Sequence, residues 1–209
     1  MEYIGMPHCW SNYYTKGIHE INIHYNCHFS EGTMKKAVGV LENFNPRIKY
    51  REKEYSSEFI FEKVLEALGK NIPVQDCIET FWRGLNLQVK IFDDTFPVLN
   101  HLRKKGNILA TLTDLPSAMP DEIFKKDIAK LLEYFDLYMS SQVSGYRKPN
   151  CTGLKMIAKA FDVPINKLIF VGDEEKDRQT AINAGCLFSP IIRTEKDTKN
   201  LYDVLEISD

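Results

Sequence analysis

The sequence predicts an α/β protein: a parallel sheet with helices on both faces, preceded by an all-helical module. Two observations carry this. From about residue 89, short apolar runs of strand length alternate with helical segments, two of them closed by glycine. Before that point apolar residues recur every three or four positions, and no confident strand is found. The expected division is therefore residues 1–88 as a helical module and residues 89–209 as an α/β core.

In the first part, Trp10, Tyr14, Ile18, Ile21, Tyr25 and Phe29 make one helical stripe. Met34, Val38, Leu41 and Phe44 make a second, which stops at Asn45-Pro46. Ser56 or Ser57 caps a third helix carrying Phe59, Val64, Leu65 and Leu68, with Gly69 as its stop. Residues 74–82 make a fourth.

In the second part, residues 96–105 form a helix closed by Gly106. Residues 108–113 (ILATLT) and 167–171 (KLIFV) are continuous apolar runs, as expected of strands buried on both faces. Helices are predicted at 123–134, 153–161 and 176–184, the last ended by Gly185, and further strands at 137–143 and 187–192. In parallel α/β sheets ligands meet the protein beyond the carboxyl ends of the strands, so the polar residues there carry the functional reading.

Composition narrows the classes. The chain has 209 residues, 44% hydrophobic and 27% charged, with a formal net charge of −2. That is room for one core plus a small accessory domain. It gives no field favouring nucleic acid or an acidic membrane surface. No apolar run approaches the roughly 20 residues that span a bilayer, and the first residues lack a signal-peptide pattern. Five scattered cysteines without a CxxC pair read as reduced thiols of a cytoplasmic protein.

Three strand ends supply chemistry. Thr113 and Asp114 follow ILATL; Lys148 and Pro149 lie in SGYRKP; Gly172, Asp173 and Asp177 follow KLIFV. A hydroxyl and an ammonium can hold phosphate oxygens, and paired carboxylates can hold Mg2+, a hard cation that leaves room for water and phosphate. Together they suit metal-assisted phosphoryl transfer. Singly, each residue has a plainer reading: a strand-end hydroxyl, a solvated lysine, a turn and helix cap.

In that order, with helices between, these stretches resemble motifs II, III and IV of the haloacid dehalogenase-like hydrolases. The strongest part is IFVGDEEKDRQTAINAG, through Gly172, Asp173, Asp177, Ala181, Ala184 and Gly185, with the Lys-Pro pair 24 residues ahead of Asp173. The resemblance covers roughly residues 89–195. It implies a Rossmann-like core with a small N-terminal helical cap, and hydrolysis of a small phosphorylated metabolite with Mg2+. By the same resemblance Thr113 and Lys148 are catalytic and bind phosphate, and Asp173 and Asp177 serve the metal. Asp114, where the family often has Asn, is placed beside the phosphate. The carboxylate pair favours a phosphatase over a dehalogenase, since carbon–halogen displacement needs no Mg2+.

One motif is missing. The family's attacking aspartate and its acid/base partner lie in a DxDGT-like motif ending an N-terminal strand, and no Asp precedes Asp76 here. That strand is central in the family, between those ending at Thr113 and Asp173. Three resolutions stay open: the natural product starts upstream of Met1; residues 87–92 (LQVKIF) enter the slot, with Asp93 as substitute nucleophile; or the chain is a non-catalytic protein that binds phosphate or a partner. A last cluster, His8, Cys9, His19, His24, Cys27 and His28, matches no compact zinc spacing and reads as helix surface.

Overall fold

The computed structural model describes residues 2–3, 11–193 and 198–204. The helices are α1 (Ser11–His24), α2 (Glu31–Phe44), α3 (Ser57–Leu68), α4 (Val74–Leu85), α5 (Thr95–Lys104), α6 (Asp121–Asp127), α7 (Ala129–Leu132), α8 (Ser141–Ser144), α9 (Thr152–Ala160), α10 (Glu175–Ala184) and α11 (Leu201–Val204). The strands are β1 (Glu2–Tyr3), β2 (Val89–Lys90), β3 (Ile169–Gly172), β4 (Leu187–Pro190), β5 (Ile192–Arg193) and β6 (Thr198–Lys199). They fall into two compact units. One takes in the described residues through Arg51, Tyr55–Lys90 and Leu115–Asp127; the other takes in Glu52–Glu54, Ile91–Asp114 and the described residues from Ile128 onward.

The first unit is built on four helices with local stop signals. Ser30 Oγ accepts the Thr33 amide at 3.1 Å and Ser56 Oγ that of Phe59 at 3.1 Å, satisfying amides that have no partner inside the helix. Gly69 ends α3 with φ of 64°. The stripe expected to run on to Phe29 stops at His24. Asn26 and His28 turn left-handed, with φ of 47° and 54°, and Asn22 Oδ1 takes the Phe29 amide at 2.8 Å. Tyr14, Ile18, Ile21, Leu41, Phe61, Val64, Ile78 and Phe81 form the buried core. Helices α1 and α4 approach so closely that a Cβ on Gly17 would lie 2.3 Å from the Phe81 ring, and one on Gly84 would lie 2.5 Å from Glu20 Cβ.

Residues 115–127 also pack in this unit, although they follow an α/β strand in sequence. Trp82 Nε1 donates to the Ala118 carbonyl at 3.0 Å, Ser117 Oγ to that of Phe44 at 2.7 Å, and Tyr3 Oη to Asp127 at 2.8 Å. The single helix expected over 123–134 is broken at Ile128 into α6 and α7.

The second unit holds two parallel ladders. In one, residues 108–113 run beside 137–140: the Thr111 amide donates to the Leu137 carbonyl at 3.0 Å, Thr113 to Met139 at 3.2 Å, and Ser141 to Thr113 at 2.8 Å. The predicted strand over 137–143 stops at Ser140, whose hydroxyl caps α8. In the other ladder β3 pairs with β4, from Ile169 opposite Leu187 to Gly172 opposite Pro190. No ladder bond joins the two pairs among the described residues. Leu154 and Ile157 of α9, with Met139 and Ala184, pack against Ala110, Leu112 and Leu137 of the first pair and Phe170 of the second.

One expectation is corrected, and one of the three open resolutions is not followed. The runs 108–113 and 167–171 are not buried on both faces: Ile108 and Ile169 are more than half exposed, and Ala110, Leu112, Phe170 and Val171 are only partly covered. Each lies in a strand that has, among the described residues, a neighbour on one side alone. Residues 87–92 do not enter the parallel sheet, because Val89 and Lys90 pair antiparallel with Tyr3 and Glu2. Asp93, the substitute nucleophile of that alternative, is exposed, and its neighbour Asp94 is spent on structure, taking Arg193 at 2.8 and 3.0 Å and the Leu201 amide at 2.8 Å.

The α1–α4 crossing gives a direct test. Gly17→Ala is expected to destabilise by about 1–2 kcal/mol, since overpacking at about 1–3 kcal/mol outweighs the helix preference for alanine. Gly39→Ala in α2, with nothing within 4 Å of an added Cβ, is expected to stabilise by about 0.5–1 kcal/mol. Urea denaturation of the two variants checks the opposite signs.

Candidate functional site

The carboxyl ends of both ladders meet in a network of charges. Gly172 starts it: a Cβ there would lie 2.5 Å from Asp177 Cβ, so only glycine lets Asp177 fold back over the strand end. Asp177 Oδ2 then accepts the amides of Asp173 at 3.1 Å and Glu174 at 3.0 Å, closing the first turn of α10. Its Oδ1 lies 2.6 Å from Lys148 Nζ, which comes from beyond the other ladder. The Lys148 amide donates to Asp114 Oδ1 at 3.1 Å, and Asp114 Oδ2 takes Lys176 Nζ at 3.3 Å.

Burial would push both central groups toward neutrality, and their partners override it. For Asp114, desolvation acts upward, but Lys148, Arg147 and Lys176 hold its carboxyl below the usual range. For Lys148, desolvation acts downward, but Asp114 and Asp177, with the hydrogen bond to Asp177, hold its ammonium above the usual range. Lys148 is thus a nearly buried cation that stays charged.

A second layer fixes the loop that carries Lys148. The Arg147 amide donates to the Glu52 carbonyl at 2.6 Å, and that of Glu54 to Gly145 at 2.9 Å. Asn150 Nδ2 reaches Glu52 Oε2 at 3.1 Å, and the Arg147 guanidinium pairs with Glu54, both side chains buried. Residues 52–54 therefore work with the α/β unit although helices flank them in sequence.

Lys148, Asp177 and Asp114 are thus in direct contact. Asp173 stands on the same edge through its amide, and its exposed carboxylate engages nothing among the described residues. Thr113 precedes Asp114 with its backbone tied to Met139 and Ser141, and its hydroxyl has no described partner. Both oxygens of Asp114, and both of Asp177, are occupied by protein groups.

The edge offers an anion a nearly buried ammonium and, at Thr113, a hydroxyl with no partner among the described residues, with Lys176 paired to Asp114. No three His, Cys, Asp or Glu side chains gather as a metal cage among the described residues. Mg2+ is ordinarily held by one or two carboxylates, water and substrate phosphate, and Asp173 fits as such a ligand. Sequence reasoning missed Lys176, Arg147 and Glu54. Only Lys176 left a trace, three residues after Asp173 at the start of a predicted helix. His8 and Cys9 of the zinc cluster lie outside the described residues; His19, His24 and His28 are exposed, with no metal group among the described residues.

The sequence model of a family described as haloacid dehalogenase-like hydrolase matches residues 30–190, more than half of the chain. A phosphoglycolate phosphatase from Nitrosospira multiformis is 26% identical over 120 residues, 57% of this chain and 51% of the relative. The chain thus spans about half the length of that relative. In fold, the chain is similar to a HAD phosphatase from Thermococcus onnurineus (TM-score 0.57, 18% identity, 90% of this chain and 81% of the other). It is also similar to a HAD-family enzyme from Bacteroides thetaiotaomicron solved with magnesium and inorganic phosphate (TM-score 0.52, 16% identity, 86% and 85%).

The charge network sets the pH dependence of stability. Asp114, with its folded pKa depressed, stabilises above about pH 4 and ceases to do so as pH falls through the folded value. Lys148, with its folded pKa raised, stabilises below about pH 10.4 and ceases to do so as pH rises through the folded value. Asp114→Asn is expected to cost about 1.5–3 kcal/mol at pH 7, with the deficit shrinking at both extremes. Urea titrations across pH measure it; a deficit independent of pH contradicts the assignment.

Proposed function

The chain belongs to the haloacid dehalogenase-like hydrolases, and from that premise we propose that its α/β unit handles phosphate monoesters of small metabolites as part of a Mg2+-dependent phosphatase. The observation that carries this is Lys148: a nearly buried ammonium held in its charged form at the carboxyl edge of two parallel ladders. Burial makes such a charge strong toward an anion, because little water screens it.

In this reading Thr113 Oγ1 and Lys148 Nζ bind the phosphoryl oxygens. Asp173 would hold Mg2+, which would offset phosphate charge and polarise the phosphorus–oxygen bonds. Asp177 acts one step removed, fixing the Asp173 amide and orienting Lys148. Asp114 shapes the phosphate side through the Lys148 amide and Lys176. Residues 1–88 serve as the cap that selects the substrate. A phosphoglycolate-like monoester, small and doubly anionic, is the first candidate, on the similarity to phosphoglycolate phosphatase. The protein acts in the cytoplasm, without nucleic acid or membrane partners. Among the described residues no helix is long and apolar enough to cross a membrane.

A second reading, phosphate binding without turnover, is favoured by one specific observation. Among the described residues no carboxylate at this edge is left free to attack phosphorus once Asp114 and Asp177 are engaged and Asp173 is given to the ion. Phosphate release from 2-phosphoglycolate and a panel of small monoesters with Mg2+ separates the two readings.

The phosphatase reading expects turnover that EDTA abolishes and that falls about 10²-fold in Asp173→Asn. Inorganic phosphate should bind at least about 10-fold more weakly to Lys148→Met, a loss of about 1.4 kcal/mol. Phosphate binding without turnover selects the second reading. Absence of both turnover and phosphate binding rejects the site.

A further inference from the structure

Lys176 stands at the outer side of the charge network. It is the second residue of α10, three places after Asp173, and its Nζ lies 3.3 Å from Asp114 Oδ2 and 3.4 Å from Glu174 Oε2. Among the described residues three basic side chains enter the network, at three depths. Arg147 is buried against Glu54, with 6% of its side chain exposed. Lys148 keeps 11% exposed and meets Asp177 at 2.6 Å. Lys176 keeps 30% exposed, and both of its contacts are longer. An ammonium carries three donors; Asp114 and Glu174 take two, and no described group takes the third.

Asp114 brings the two lysines together. Its Oδ1 accepts the Lys148 amide at 3.1 Å while its Oδ2 faces the Lys176 ammonium, so one carboxylate's breadth parts the Lys148 backbone from Lys176 Nζ. The inner ammonium and the Thr113 hydroxyl suit the compact phosphoryl group. The remainder of an ester has to lead out to solvent, which Lys176 reaches furthest of the three basic side chains. A neutral remainder gains little from an ammonium there. A carboxylate gains both its charge and its N–H donor, and ion pairs as exposed as that of Lys176 with Glu174 are held weakly enough to admit it.

We infer that Lys176 is the specificity-determining residue of this edge, binding a second anionic group of the substrate, a carboxylate set close to the phosphate, while Lys148 takes the phosphoryl oxygens. The substrate class is then short phosphate monoesters that carry a carboxylate, in preference to those with a neutral remainder. The inference rests on the phosphate reading of the edge and adds to it a selecting side chain from the α/β unit itself.

The test uses the full chain with Mg2+ and two ligands whose carbon–phosphorus bonds a phosphatase does not hydrolyse. These are 3-phosphonopropionate and propylphosphonate, which differ in a carboxylate against a methyl group; inorganic phosphate is the third probe. Isothermal titration calorimetry should find the carboxylate ligand bound at least about 10-fold more tightly than propylphosphonate, the yield of one charge-assisted hydrogen bond. In Lys176→Met that preference should fall to within about 2-fold, with propylphosphonate and inorganic phosphate bound nearly as tightly as before, and Lys176→Arg should keep it. The preference is a ratio on one sample, so partial misfolding of a variant does not distort it, and Lys176→Gln repeats the test if Lys176→Met does not fold. Equal weakening of both phosphonates in Lys176→Met would overturn the inference, because it reduces Lys176 to a counter-ion of Asp114. So would a preference that survives the substitution, or none in the unaltered chain. In these cases the unaltered chain still binds phosphate; failure of all three probes to bind it instead rejects the phosphate reading, and the inference with it.

Discussion

Lys148 reaches from the end of one parallel ladder to put its Nζ 2.6 Å from Asp177 at the end of the other, and the rest of the α/β unit depends on that reach. No backbone ladder connects the two pairs of strands among the described residues. They are held as one body by the apolar cluster on α9 and, at the carboxyl edge, by this buried ion pair and its companion between Asp114 and Lys176. A nearly buried ammonium is tolerable only when its charge is matched at close range. Two carboxylates do so here, which is why burial fails to neutralise it.

The same contacts that hold the edge also prepare it. Asp177 is turned inward by the absence of a side chain on Gly172, and it draws the Asp173 amide and Lys148 into fixed positions. The backbone of Glu52 and Glu54 clamps the loop ahead of Lys148, with the buried Arg147–Glu54 pair behind it. Among the described residues the Thr113 hydroxyl and the Asp173 carboxylate are left unengaged. Such an arrangement retains the groups that a phosphate and its counter-ion require.

Much of this was legible in the sequence because it is local. Ser30, Ser56 and Gly69 mark helix ends through bonds made within a few residues. The Gly172–Asp173–Asp177 spacing is one turn of helix at a strand end, which places Asp177 over the α10 amides. What was not legible depends on partners distant in sequence. Apolarity of 108–113 and 167–171 signals strands meant for burial, but burial itself needs a neighbour on each side. Residues 115–127 follow a strand yet pack on helices, held by Trp82 and Phe44, whose roles no periodicity reveals. Residues 52–54 look like a charged surface run, and only the fold brings Glu54 to Arg147.

A double-mutant cycle on Lys148→Met and Asp177→Asn tests the tie between the ladders most directly, since asparagine can still accept the Asp173 and Glu174 amides while losing the charge. Unfolding free energies of the four proteins should give a coupling of about 1.5–3 kcal/mol, near the upper end for groups in contact. Additivity within about 0.5 kcal/mol would show that Lys148 and Asp177 do not hold the two ladders together.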